Sequence, residues 1–197
     1  MTQSVEFYFD VGSPTSYLAY KQLRRICDDT SATLIYRPIL LGAVFKATGN
    51  ASPNEVPAKA RYSIQDLARV AKRLQVPLTF NPHFPINTLS LMRALTAVQM
   101  FQPLRFVELL ETTFEAMWVE ALDLNDPAIL SAALAGSGFD PAEVLDRAGN
   151  PSVKDQLKIN TDEAVARGVF GAPSMFVNGE LYFGQDRLDF VREALSA

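Results

Sequence analysis

Two periods of apolar and polar residues alternate along this chain, and the switches between them mark its elements. Val5-Glu6-Phe7-Tyr8-Phe9 is short, apolar and aromatic, and it ends at Asp10 and Gly12, which predicts a strand. Behind it, Leu18, Ala19, Tyr20, Leu23 and Ile26 recur at helical spacing. Pro14 stands at the start of that helix, where its missing N–H would have had no partner anyway. Ala32-Thr33-Leu34-Ile35-Tyr36-Arg37 predicts a second strand, stopped by Pro38. Strand, helix and strand within about 35 residues imply a βαβ unit with parallel strands.

The middle of the chain changes period. Residues 58–75, 88–101, 103–119 and 127–136 are apolar at helical spacing and rich in Ala and Leu. Pro53, Pro57, Pro77, Pro82, Pro85, Pro103 and Pro127 punctuate them. Asp140-Pro141 and Asn150-Pro151-Ser152 predict two more helix starts, the second helix running to about Arg167. Strand signals then return. Ser174-Met175-Phe176-Val177, the two-residue turn Asn178-Gly179 and Leu181-Tyr182-Phe183 form a predicted hairpin. A last helix, Arg187 to Leu195, has Leu188, Phe190, Val191, Ala194 and Leu195 to pack inward. The order is thus β-α-β, then helices, then β-β-α, a mixed α/β class with a helical insertion and no repeats or low-complexity linker.

Composition narrows the function classes. A chain of 197 residues with 48% hydrophobic and 20% charged residues is long enough for one sizeable domain with a real core. Its formal net charge is −4 and its Lys and Arg are scattered, which argues against nucleic acid as a partner. Met1 to Asp10 lacks the pattern of a signal peptide, and no apolar run approaches the ~20 residues of a membrane helix. A cytoplasmic location without membrane contact is the expectation. The single cysteine, Cys27, cannot form an internal disulfide, and its helical spacing from Tyr20 and Leu23 predicts a buried packing residue. Cys27 and the single histidine, His83, lie far apart, and no acidic cluster has ligand spacing, so no metal site is expected.

Three local patterns carry the candidate chemistry. Phe9-Asp10-x-x-Ser13-Pro14-x-Ser16-Tyr17-Leu18 lies at the first strand-to-helix junction. Val169-Phe170-Gly171-Ala172-Pro173-Ser174-Met175-Phe176-Val177-Asn178-Gly179 leads into the hairpin, and Phe183-Gly184-Gln185-Asp186-Arg187-Leu188 precedes the last helix. On residue chemistry alone, Ser13 is a helix cap, a nucleophile, or a hydrogen-bond donor to another molecule's sulfur. A nucleophilic serine needs an adjacent base, and His83 has no tie to Ser13 in sequence, nor does Gly12-Ser13-Pro14 match a G-x-S-x-G elbow. Cys is absent from positions 13 and 16, so dithiol–disulfide exchange has no attacking atom here. A helix N-terminus carries unpaired N–H groups and partial positive charge, which suit an external thiolate.

In this order and spacing the three patterns resemble the 2-hydroxychromene-2-carboxylate isomerases, relatives of the kappa-class glutathione transferases within the DsbA-like branch of the thioredoxin fold. The resemblance extends over essentially the whole chain. It includes Leu40-Leu41-Gly42-x-x-Phe45-Lys46-x-x-Gly49-Asn50 and Pro57-x-Lys59-x-x-Tyr62-x-x-x-Asp66-Leu67-x-Arg69. It implies a thioredoxin-like fold with an inserted all-helical domain: residues 1–40 and 160–197 form the discontinuous thioredoxin-like part, and 41–159 the insertion. It also implies glutathione as cofactor, held at Ser13, Ala172, Pro173, Phe183, Gly184, Gln185 and Asp186. In the family the proline matching Pro173 is cis, and the backbone before it pairs with glutathione's cysteinyl residue. Asp186 is both an expected N-cap of the last helix and an expected partner of glutathione's γ-glutamyl amine. Lys46, Asn54 and His83 are the residues implied for the substrate, a small aromatic carboxylate. Asp10 and Arg187 are read as structural, and Trp118 as a core residue. A homodimer is expected from relatives. The implied reaction interconverts 2-hydroxychromene-2-carboxylate and trans-o-hydroxybenzylidenepyruvate in aromatic catabolism of the naphthalene type. A kappa-like transferase and a non-catalytic thiol- or peptide-binding module stay open beside it.

Overall fold

In a computed structural model, which describes residues 3–197, β1 (Ser4–Phe9), α1 (Pro14–Thr30) and β2 (Thr33–Pro38) form the expected opening unit. Then follow α2 (Leu41–Thr48), α3 (Pro57–Leu74), α4 (Leu89–Phe101), α5 (Phe106–Trp118), α6 (Pro127–Gly136), α7 (Pro141–Gly149) and α8 (Pro151–Ala166). The chain closes with β3 (Ser174–Val177), β4 (Glu180–Phe183) and α9 (Leu188–Ser196). The four strands form one sheet in the order β2-β1-β3-β4. β1 runs parallel to β2, with Phe7 opposite Tyr36, and antiparallel to β3, with Tyr8 opposite Ser174. The β3–β4 hairpin turns at Asn178 and Gly179, both with positive φ (51° and 84°), as a two-residue Asn-Gly turn requires.

Strand alternation sorts the core onto two faces. Val5, Phe7 and Phe9 of β1, with Met175 and Val177 of β3, pack on one side with α1, α9 and the insertion's Leu91, Met92, Phe114 and Trp118. Tyr8 and Phe176 point the other way, against Ile39, Val44, Ala164 and Val169. The larger cluster is continuous from the sheet into the helical insertion. Trp118, fully buried, ties the two together: its indole N–H donates to the Val11 carbonyl at 2.7 Å. Cys27 is buried in the same cluster, and burial pushes its thiol up to about 11, as a packing role implies.

Local signals placed most helix starts. Ser13 caps α1 by accepting from Ser16 N–H at 3.1 Å, Asp126 caps α6, Asp140 caps α7 and Asn150 caps α8. Four features differ from the sequence reading. Helix α2 was not expected. The segment read as a helix from 103 opens with a 3-10 turn, Pro103–Arg105, before α5. Helix α8 runs unbroken across the 159/160 boundary drawn between insertion and thioredoxin-like part. Asp186 does not cap the last helix. It lies within a 3-10 turn, Gln185–Arg187, entered through Gly184 at φ 95°, and its carboxylate takes the Arg187 guanidinium at 2.7 Å instead.

Candidate functional site

The sheet's end, the start of α1 and the insertion enclose a cavity of about 1120 Å³. Ser13 sits in its floor because β1 ends at Asp10 and the chain turns sharply into α1. Asp10 organises that turn. Its buried carboxylate accepts from Gly12 N–H (2.9 Å), Leu41 N–H (2.9 Å) and the Thr88 hydroxyl (3.0 Å), joining the starts of α2 and α4 to the end of β1. Burial raises its pKa, and the three hydrogen bonds only partly oppose that. Gly12 has no room for a side chain there, since a Cβ would lie 2.7 Å from the Thr88 methyl.

Ser13, 5% exposed, keeps its hydroxyl in a small network. The oxygen accepts from Ser16 N–H, lies 2.8 Å from the Thr15 hydroxyl, and donates toward the Ala172 carbonyl at 3.1 Å. Thr15 Oγ1 is also 3.3 Å from that carbonyl. The Ala172–Pro173 bond is cis, as the resemblance implied, and so is Phe84–Pro85, which the sequence did not signal. Gly184 N–H donates to the Pro173 carbonyl at 3.0 Å, which draws the end of β4 and the Gln185–Arg187 turn alongside. Phe183 fills the gap over Gly171, where a Cβ would meet its ring at 2.8 Å, and packs against Phe170 with the rings tilted by 46° and their centroids 4.5 Å apart.

Of the residues singled out from sequence, Ser13, Asn54, Ala172, Pro173, Phe183, Gly184, Gln185 and Asp186 all line this one cavity. Lys46 and His83 do not. Lys46 is exposed on α2, one residue beyond Phe45, which does reach the wall. His83 turns outward, its Nδ1 3.5 Å from Asp123 Oδ2, while its neighbours Phe80 and Phe84 face the cavity. Trp118 stands behind those two rings, with centroids 6.0 and 6.1 Å away, and is a core residue as expected. Arg187 and Asp10 are structural partners, also as expected. Sequence reasoning missed Thr15, Thr88 and the aromatic pair Phe80 and Phe84. A hydroxyl two residues past a serine cap was the available signal for Thr15.

The wall has a definite electrostatic character. Its charged residues are Asp10, Glu55, Asp66 and Asp186, all acidic. Asn54 Oδ1 is a buried acceptor with no hydrogen-bond partner among the described residues. No cluster of three or more metal-ligating side chains occurs among the described residues.

A family model described as a DSBA-like thioredoxin domain matches residues 4–196. The chain belongs to that family. Within this DsbA-like group it is 34% identical to the 2-hydroxychromene-2-carboxylate isomerase of Sphingobium xenophagum, over 99% of both chains. It is 33% identical to glutathione S-transferase kappa 1 of Homo sapiens, over 99% of this chain and 92% of that one. Among solved structures, a 2-hydroxychromene-2-carboxylate isomerase superposes with TM-score 0.86 at 27% identity, covering 98% of this chain and 94% of the other. A probable DsbA oxidoreductase from Streptomyces coelicolor superposes with TM-score 0.77 at 17% identity, a likeness of fold alone. This DsbA-like chain has serines at 13 and 16, and its one cysteine, Cys27, is buried at the far end of α1. No helix among the described residues is long and apolar enough to cross a membrane.

Proposed function

We propose that this chain is a glutathione-dependent isomerase interconverting 2-hydroxychromene-2-carboxylate and trans-o-hydroxybenzylidenepyruvate. The observation that carries the proposal is Ser13: a hydroxyl at the N-terminus of a 17-residue helix, beside the Ala172 carbonyl, in a chain with no cysteine there. The two kinds of relative, isomerase and kappa transferase, support the same class of chemistry.

The residues present fit glutathione. The orphaned Asn54 Oδ1 is an acceptor for a peptide N–H, the Ala172 backbone offers strand-like pairing, and the half-exposed Asp186 carboxylate suits an amine. Bound glutathione would supply a thiol that adds to, and is later expelled from, the conjugated system, so that a double bond becomes single long enough to rotate. Ser13 donates its hydroxyl hydrogen to the sulfur and so favours the thiolate, aided by the partial positive charge of the α1 N-terminus. Phe80, Phe84 and Phe45 hold a flat aromatic ring and exclude water around it. Lys46 is the proposed partner of the substrate carboxylate. To serve, its exposed side chain must extend over the cavity mouth past Phe45. The same proposal has the protein working in the cytoplasm as a homodimer, which sedimentation of the purified chain checks.

A second reading draws support from the wall itself. Among the described residues no basic side chain lines the cavity, and its acids Asp66 and Asp186 are paired with Arg69 and Arg187, so no cation in the wall is placed to receive a substrate carboxylate and an uncharged aromatic electrophile is admitted as readily. That favours a kappa-like transferase using the same glutathione site. Absorbance-monitored isomerisation of the chromene carboxylate, with and without glutathione, separates the two. Glutathione-dependent turnover that is lost in Ser13→Ala supports the isomerase. No turnover alongside conjugation of an uncharged electrophile moves the assignment to a transferase, equal isomerisation rates without glutathione remove the isomerase mechanism, and absence of any conjugate removes the transferase.

A further inference from the structure

The Ser13 hydroxyl has one hydrogen and three claims on it. Its oxygen is already an acceptor for Ser16 N–H at 3.1 Å, so the hydrogen must go to the Ala172 carbonyl (3.1 Å), to Thr15 Oγ1 (2.8 Å), or to a bound sulfur. Satisfying a ligand sulfur therefore withdraws that hydrogen from its protein acceptor, and a carbonyl oxygen, with two lone pairs, can take a replacement hydroxyl donor beside any backbone N–H of the ligand. Thr15 Oγ1 lies 3.3 Å from the same carbonyl and carries a hydrogen of its own. Thr15 was not among the residues singled out from sequence.

We propose that Thr15 is a positioning residue for the thiol chemistry, a second hydroxyl that directs the Ser13 hydrogen toward the bound sulfur. Without ligand, Thr15 donates to Ser13 Oγ, and Ser13 donates to the Ala172 carbonyl. With a thiolate bound, Thr15 turns its hydrogen onto the Ala172 carbonyl, and Ser13 turns its own onto the sulfur. Every donor has an acceptor in both arrangements, and no proton leaves either oxygen. The swap needs only rotation about two C–O bonds, because the three oxygens already lie within 3.3 Å of one another. Ser16 takes no part: its hydroxyl is fully buried and has no partner among the described residues. The inference rests on the proposal that Ser13 hydrogen-bonds a glutathione thiolate.

Its test is the ionisation of glutathione bound to the full chain, followed as the ultraviolet thiolate band against pH at saturating protein. Wild type is compared with Thr15→Val, which keeps the shape and removes the hydroxyl, and with Thr15→Ser, which keeps the hydroxyl and removes the methyl. One neutral hydrogen bond corresponds to about a three- to tenfold change in an equilibrium, so Thr15→Val should raise the bound-thiol pKa by roughly 0.5–1 unit. Thr15→Ser should restore the wild-type value. Glutathione affinity at a pH where the thiol stays protonated should change less than twofold or so, since that binding does not use the released hydrogen. An unchanged pKa in Thr15→Val overturns the inference, as does an equal rise in the Val and Ser variants, which would show that the effect does not follow the hydroxyl. Thr15→Ala gives the same readout if the Val variant folds poorly. If the thiol pKa of wild type equals that of free glutathione, the Ser13 proposal itself fails, a result visible before any variant is made.

Discussion

Replacing Trp118 by Phe tests how the helical insertion is fastened to the thioredoxin-like part. Trp118 is fully buried, and its indole N–H donates to the Val11 carbonyl at 2.7 Å, two residues before Ser13. Phenylalanine keeps an aromatic ring against Phe80 and Phe84 but leaves that carbonyl unpaired, a cost of about 1–3 kcal/mol. The smaller ring also vacates roughly 30–40 Å³, which at ~24 cal/mol per Å³ adds about 1 kcal/mol. The expected loss is about 2–4 kcal/mol, or roughly 5–15 °C in Tm for a chain of this size. Urea and thermal melts followed by far-ultraviolet circular dichroism measure it. Fluorescence cannot, because Trp118 is the sole tryptophan. Leu104→Ala, at a fully exposed position between α4 and α5, is the control and should shift stability by less than about 0.5 kcal/mol. A Trp118→Phe loss as small as the control's would refute the claim that this hydrogen bond and its packing couple the two parts.

Two further predictions concern the turn and the far wall of the site. Burial raises the Asp10 pKa in the fold, so its contribution to stability is fully present below the ordinary carboxylate pKa and lost as pH rises through the folded value. The stability of wild type relative to Asp10→Asn should therefore fall from acid toward neutral pH in urea melts. A difference that rises over that range would contradict the assignment. At Gly184, φ is 95° and an added Cβ would lie 2.6 Å from Asp186 Oδ1, whereas Gly168, at φ 90°, has open space around it. Gly184→Ala and Gly168→Ala should both cost about 1–3 kcal/mol of backbone strain. Only Gly184→Ala should also weaken glutathione binding in titration calorimetry; matching affinities would remove Asp186 from the site.

The residues that were legible in sequence are those whose roles are local. Ser13, Asp140 and Asn150 cap helices because a short polar side chain reaches N–H groups two or three residues away, and Asn178-Gly179 turns because both tolerate positive φ. Helix α2 was hidden because its start is held from a distance. Asp10 accepts from Leu41 N–H, Thr161 Oγ1 accepts from Leu40 N–H, and only Val44 is buried along the helix. Asp186 had the propensity of a cap, but the positive φ of Gly184 starts a 3-10 turn and Arg187 captures the carboxylate. Lys46 and His83 show a different limit. A motif match names a residue without its direction, and on a helix or in a tight loop an adjacent residue can face elsewhere, so Phe45 and Phe84 reach the cavity while Lys46 and His83 do not. The acidic wall was invisible for the same reason, since Glu55, Asp66 and Asp186 come from separate segments that only the fold assembles.

Whether Ser13 hosts another molecule's sulfur is decided by titrating the thiolate band of glutathione bound to wild type and to Ser13→Ala. The bound-thiol pKa should lie below the ~8.5 of an ordinary thiol in wild type and rise by about one unit in Ser13→Ala. The same pKa in both proteins would contradict that role.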